Sequence, residues 1–303
     1  MTFQFNFKDT LAASERVHWR VEDLIGGDKA LDFSRPFLPE TFARTDGLDF
    51  LSPHERLVLN QLRGHNYLYL FGLVEEFILP FVLDHARPQL VGDMYRLRAF
   101  LQFATEEAKH IHLFQRFRED FLQRFGTPVE VIGPPEQIAQ AVLANDPLSV
   151  ALVILQLEWM TQAHYVGSVK DDRDLCPQFK SLLKHHWMEE AQHAKLDTLM
   201  VEALAEGRDA VSLSQAVDGY LAIGAMLDGG LRQQVEFDLD ALQKATGCLM
   251  SGDERARALE VQHQAMRWTF LGSGMTHPNF LASLEAMDPA LRTRVETVAP
   301  AFC

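Results

Sequence analysis

From Arg56 onward the apolar positions recur every three or four residues, and the rhythm stops only at short polar, Gly or Pro stretches. It predicts a long helix over about 56–85, broken at "ARPQL", and a second over about 91–124, ended by Gly126-Thr127-Pro128. After the loop "VIGPPEQ" a short helix is expected over 135–144. Asp146 before Pro147 is a helix-start signal, because proline fits the first helical position, where no N–H is needed. A third long helix therefore runs from there to about Lys170. The polar cluster "KDDRDLCP" makes the turn, and a fourth runs from Pro177 to Glu206, stopped by Gly207. Beyond 210, further helices are expected between breaks at "DGG", "TGCLMSGD" and "THPN". Residues 1 to about 52 read as irregular, since Gly26, Gly27, Pro36, Pro39 and Gly47 interrupt every periodic segment. No segment sustains two-residue alternation, so the expected class is all-α.

The connections set the topology. Short links join the first helix to the second and the third to the fourth, which makes two antiparallel pairs. The long link between the pairs permits a crossover, the ferritin-like form of a four-helix bundle. We expect one domain: an irregular segment 1–52, a four-helix core 53–206 and additional C-terminal helices 207–303.

The second and fourth helices carry almost the same five letters, "EEAKH" at 106–110 and "EEAQH" at 189–193. Residues three apart share a helix face, so Glu107 with His110 and Glu190 with His193 project in register. Bundle-core di-metal sites use this pattern: a Glu-x-x-His from each of two helices and a lone Glu from each of the other two. In the second pair the lone acid is Glu158, inside the apolar run "LQLEWM" and 32 residues before Glu190. In the first pair "LVEEFILP" offers Glu75 and Glu76, which precede Glu107 by 32 and 31 residues. A following aromatic residue matches Glu76-Phe77 with Glu158-Trp159 and selects Glu76, whereas the equal spacing points to Glu75. Pro80 also leaves the Glu76 carbonyl without its helical partner. His186 stands four residues before Glu190 on the same face, where the other arm has Phe103, so one metal would have two imidazoles and the other one.

A single Glu-x-x-His is ordinary on a surface helix. Carboxylates inside apolar runs are not, because an unpartnered buried carboxylate is costly, and a cation relieves that cost. The metal set read from the sequence is thus Glu76, Glu107, His110, Glu158, His186, Glu190 and His193. Glu106 and Glu189 are placed to accept the outer ring N–H of a histidine on the opposite helix. His112, His164 and His263 lack such support.

Composition narrows the alternatives. The formal net charge of −14 argues against nucleic acid and anionic membranes as partners. Cys176, Cys248 and Cys303 are scattered, with no CxxC pair, so no zinc knuckle or rubredoxin-type iron site is encoded. The N-terminus lacks a signal-type apolar region, and the apolar runs read as shorter than a bilayer span, so a cytoplasmic protein is expected.

The ligand pattern resembles the ferritin-like di-iron carboxylate proteins. The added His186 resembles, more narrowly, the arylamine (p-aminobenzoate) N-oxygenase, or AurF-like, family. The resemblance covers about 56–206. It implies two iron ions, with manganese as the alternative, and an enzyme that activates O₂ to oxidise a small organic substrate, with an external electron donor. N-oxygenation of an amine is the specific reaction implied, and a homodimer is compatible with it. The acid before each ligand Glu is Glu here, where relatives often have Asp. Other readings stay open: a ferritin-like peroxide reductase or iron-handling protein, a ribonucleotide reductase small-subunit-like radical protein with Tyr165 as the tyrosine, and a helical interaction protein with no metal.

Overall fold

The computed structural model describes residues 4–303. Its first helix, α1 (Phe7–Ser14), is capped by Asn6. A one-turn helix α2 (Glu40–Ala43) follows within a segment that is otherwise irregular. The long helices begin where their caps dictate. Ser52 and Glu55 form a reciprocal capping box with Pro53 at the first position of α3 (Pro53–Ala86). Asp93 caps α4 (Met94–Phe125), which ends at Gly126 with φ 76°. A crossing link carries α5 (Pro135–Leu143), which packs along α3. Asp146 caps α6 (Pro147–His164), whose backbone continues as a π turn, Tyr165–Val169. Helix α7 (Pro177–Ala205) completes the bundle. α3 lies along α4, α6 lies along α7, and α4 meets α7, so the connectivity is that of a ferritin-like bundle. Among the described residues there is no strand, only the isolated bridge Gly26–Lys29.

α6 is buried on every side from Leu148 to Thr161, as its unbroken apolar run requires. Glu158 therefore has no face that reaches water.

The C-terminal third differs from the sequence expectation at one point. "DGG" does not break a helix: α8 (Ala210–Thr246) runs through Asp228, Gly229 and Gly230 without interruption. Each helical glycine costs about 1 kcal/mol relative to alanine. α8 tolerates this because it packs on α3, α6 and the next helix, α9 (Gly252–Arg267). After a second π turn, Trp268–Gly272, the chain adds α10 (Ser273–Met275), α11 (Pro278–Met287) and α12 (Pro289–Val298).

By length and hydropathy, 53–91 and 210–246 would each suffice to cross a bilayer, which the reading of short apolar runs overlooked. The most apolar stretch of the first is 72% buried inside the protein and that of the second 33%.

The N-terminal segment is not idle. α1 packs on α4 and α7, and its buried side chains join the same hydrophobic core as the bundle.

Candidate metal centre

Four helices deliver seven buried side chains to one place. Glu75 comes from α3, Glu107 and His110 from α4, Glu158 from α6, and His186, Glu190 and His193 from α7; each is at most 3% exposed. Six of them form two overlapping groups, and the seventh, Glu158, lies against Glu190. The potential ligand atoms of Glu75, His110, His186 and Glu190 lie within 4.8 Å of one another, as do those of Glu107, His110, Glu190 and His193.

Glu190 spans the two groups. Its Oε1 is 3.1 Å from His110 Nδ1 and 2.7 Å from His186 Nε2, while its Oε2 is 3.2 Å from His193 Nδ1. Glu75 Oε1 is 3.1 Å from His186 Nε2, and Glu107 Oε1 is 2.9 Å from His193 Nδ1. His186 thus belongs to one end of the cluster and His193 to the other, with His110 within reach of both. Phe103, the counterpart of His186, stacks on His193 at 4.0 Å between ring centroids.

One residue of the sequence-derived set is displaced. Glu76 is exposed and points away from the cluster, towards the Glu136 and Arg118 side of α3. Glu75 takes the interior place. The reason is helical phase: neighbours on a helix are about 100° apart, so only one of the pair can face the bundle axis. The match to Glu158-Trp159 described chain context, whereas the equal 32-residue spacing described phase and height. Pro80 lies within α3 without ending it.

Both histidines of the repeated motif are oriented from outside. Glu189 Oε2 accepts from His110 Nε2 at 2.9 Å, and Glu106 Oε2 accepts from His193 Nε2 at 2.9 Å. These are the cross-bundle pairings expected for the first letter of each motif. They fix the way each ring faces and leave each Nδ1 turned inward, the nitrogen a metal would take. The outer carboxylates are themselves held. Ser14 Oγ donates to Glu106 Oε1 at 2.5 Å, Gln102 donates to the same atom at 3.0 Å, and Lys109 donates to Glu189. Trp19 lies parallel to the His110 ring at 6.0 Å, with the Lys109 ammonium 4.0 Å above the indole.

Sequence reasoning missed Ser14, Trp19 and Asp197. Asp197 is 1% exposed, has Oδ2 without a hydrogen-bond partner, and continues the stripe His186, Glu190, His193 one turn further. That spacing was a usable signal. The contacts of Ser14 and Trp19 had none, because they arise from long-range packing. Tyr165 stacks on Trp187 at 4.6 Å. His164 lies against Trp268 and Ser273, His263 against Asp228, and His112 is exposed.

The electrostatics show what the cluster lacks. Burial, reinforced by Glu107, pushes the Glu75 carboxyl up to about 8. Burial and Glu190 push Glu158 well above the usual carboxylate range. Burial opposes ionisation of Glu190 as well, but His186 and His193 outweigh it and hold Glu190 well below. Burial would lower His110 and His193, yet their carboxylate neighbours raise both well above the ordinary imidazole value. Burial works against the charge of each of these groups, a cost that a cation among them would relieve. Glu75 Oε2, both oxygens of Glu107, Glu158 Oε2, Glu190 Oε1 and His110 Nδ1 have no partner in hydrogen-bonding geometry. Six buried donor atoms converging without partners fit a metal pair, and the mixed carboxylate–imidazole set suits iron or manganese.

No family model matches the chain, and no curated protein matches it. Among solved structures, it is similar to variants of an R2-like ligand-binding oxidase. One, with an anaerobically reconstituted Mn/Fe cofactor, is 14% identical, with 88% of this chain and 94% of that chain covered and a TM-score of 0.47. Another, with an aerobically reconstituted Fe/Fe cofactor, is 14% identical over 92% and 94%, with a TM-score of 0.48.

Proposed function

We propose that this protein is a di-iron oxidoreductase that uses O₂ to oxidise a small organic substrate. The ligands are Glu75, Glu107, His110, Glu158, His186, Glu190 and His193. The observation that carries the reading is the set of buried, convergent, unpartnered carboxylate and imidazole atoms drawn from all four core helices. When bound, a pair of irons supplies two electrons and open coordination positions for O₂.

The chain's own residues do the rest. Glu190 presents one oxygen to each end of the cluster and would help hold both ions. Glu189 and Glu106 hold the His110 and His193 rings in the tautomer that binds metal. Trp19 and Phe103 cover those rings and keep water from them. The electrons for repeated turnover come from an external donor. Within this class, we read the reaction as N-oxygenation of an amine, on the strength of the third imidazole, His186.

Anaerobic titration with ferrous ion tests the centre: two irons per chain are expected, and no tight binding would refute it. Exposure of the loaded protein to O₂ with an arylamine is expected to give hydroxylamine or nitro product. Oxidation of the iron with the amine recovered intact would refute N-oxygenation while leaving the metal centre standing.

A further inference from the structure

A cavity of about 230 Å³ lies in the groove between α3 and α6, beneath α8. Its buried floor is Leu70, Leu73, Val74 and Leu157, and exposed Met226 and Gln233 stand at its rim. No lining side chain is charged, and Gln233 is the one polar side chain among them. The backbone of Ile132 offers no free group either: its carbonyl accepts from the Tyr69 hydroxyl, and its N–H donates to Gln234 Oε1 at 3.0 Å.

The cavity adjoins the metal cluster. Val74 and Leu157 immediately precede Glu75 and Glu158 in the chain. Phe270, in the second π turn, also lines the cavity, and its ring is 5.7 Å from Phe71; the Phe71 ring in turn meets His186 edge-on at 5.4 Å. Along that line a single aromatic ring separates the cavity wall from a cluster imidazole.

Of the two adjacent glycines in α8, Gly230 lines the cavity and Gly229 does not. A Cβ on Gly230 would lie 3.2 Å from Ile132 Cδ1, whereas one on Gly229 would meet nothing within 4 Å. Gly230 thus packs its bare backbone against Ile132, and a larger residue there must displace the Ile132 side chain, which also lines the cavity.

We propose that this cavity receives the substrate of the di-metal centre, and that the substrate is an uncharged, largely hydrocarbon molecule of one or two rings. The proposal rests on the reading of the cluster as an oxidising metal centre. Size follows from volume, since an apolar cavity of about 150 Å³ already holds benzene. The absence of charge follows from the wall: an ionised group entering here would lose its hydration and find no partner.

The test uses naphthylamine and its carboxylated analogue, aminonaphthoate, titrated into the full chain, first metal-free and then iron-loaded. Naphthylamine is expected to bind the metal-free protein saturably, with the carboxylate weaker by about 100-fold or more. Gly230→Leu, which pushes against Ile132 in the cavity wall, and Leu73→Trp, which fills the floor, should each weaken naphthylamine by about tenfold or more, and Gly229→Leu by less than about twofold. Thermal unfolding of each variant separates lost binding from lost folding. In the iron-loaded protein, naphthylamine should shift the iron absorption of the wild type and leave that of Leu73→Trp unchanged. Equal affinity for the two compounds, equal effects at 229 and 230, or two bound irons without naphthylamine binding would overturn the proposal. Intact binding with no iron uptake would instead overturn the metal centre and, with it, the link between cavity and chemistry.

Discussion

Glu75 and Glu76 are adjacent, chemically identical and opposite in consequence, so exchanging each for glutamine is a sharp test. Glu75 is 2% exposed, and in the metal-free protein its carboxyl is raised from 4.5 to about 8 by burial and by Glu107. At pH 7 the folded chain therefore carries Glu75 protonated while the unfolded chain carries it ionised. The unfolded state binds fewer protons, so stability falls as pH rises from about 4.5 to about 8. At pH 7 the span is about 2.5 pH units, or about 3 kcal/mol, of which neighbouring groups that share the protons take part. Glu75→Gln removes this cost and keeps the shape, so the metal-free variant should gain up to about 3 kcal/mol at pH 7 and nothing at pH 4. The same change deletes a metal ligand, so iron affinity should fall by more than the 10–100-fold typical of an outer partner. Glu76→Gln should leave iron affinity unchanged and stabilise the metal-free protein by less than Glu75→Gln, because burial raises the Glu76 carboxyl too but the residue is exposed. Urea unfolding of the metal-free proteins at both pH values, with anaerobic iron titration alongside, reads both effects. The reasoning is refuted if Glu75→Gln lowers metal-free stability at pH 7, or if Glu76→Gln is the variant that loses iron.

Glu189→Gln keeps the size of the group that orients His110 but not its charge; iron affinity should drop by about 10–100-fold with the fold intact, and unchanged binding would remove Glu189 from the site. Outside the centre, burial raises Asp238 to about 7 despite Arg63, Gln234 and Asn66. The wild type should therefore lose stability relative to Asp238→Asn by about 1.4 kcal/mol per pH unit between about 4 and 7. Parallel stability–pH curves for the two proteins would show that Asp238 ionises freely.

The helices were legible because their caps are local: Ser52-Pro53, Asp146-Pro147 and Gly126 act within one turn. The buried carboxylate–imidazole cluster was largely legible because helical phase and hairpin height both leave arithmetic in the chain. Where phase was set aside for a resemblance in neighbouring letters, Glu76 was chosen over Glu75. "DGG" misled because a glycine's weakness in a helix is local, while the packing of α8 on α3, α6 and α9 that overrides it is not. Trp19 and Ser14 were invisible for a related reason. Their roles depend on where an irregular segment comes to rest, and no periodicity encodes that.

That resting place gives the centre an order of construction. Ser14 is made early, yet its partner Glu106 follows 92 residues later, and His193, which Glu106 steadies, comes later still. Chains emerge N-terminus first, and contacts of long sequence separation must wait for loop closure. The segment synthesised first therefore cannot dock until α4 and α7 have been made. Until it does, the four helices can gather the seven inner ligands, but Glu106 lacks its seryl donor and His110 lacks its indole cover. The N-terminal segment thus acts as a clasp on the outer side of the centre, through Ser14 on Glu106 and Trp19 on the His110 ring.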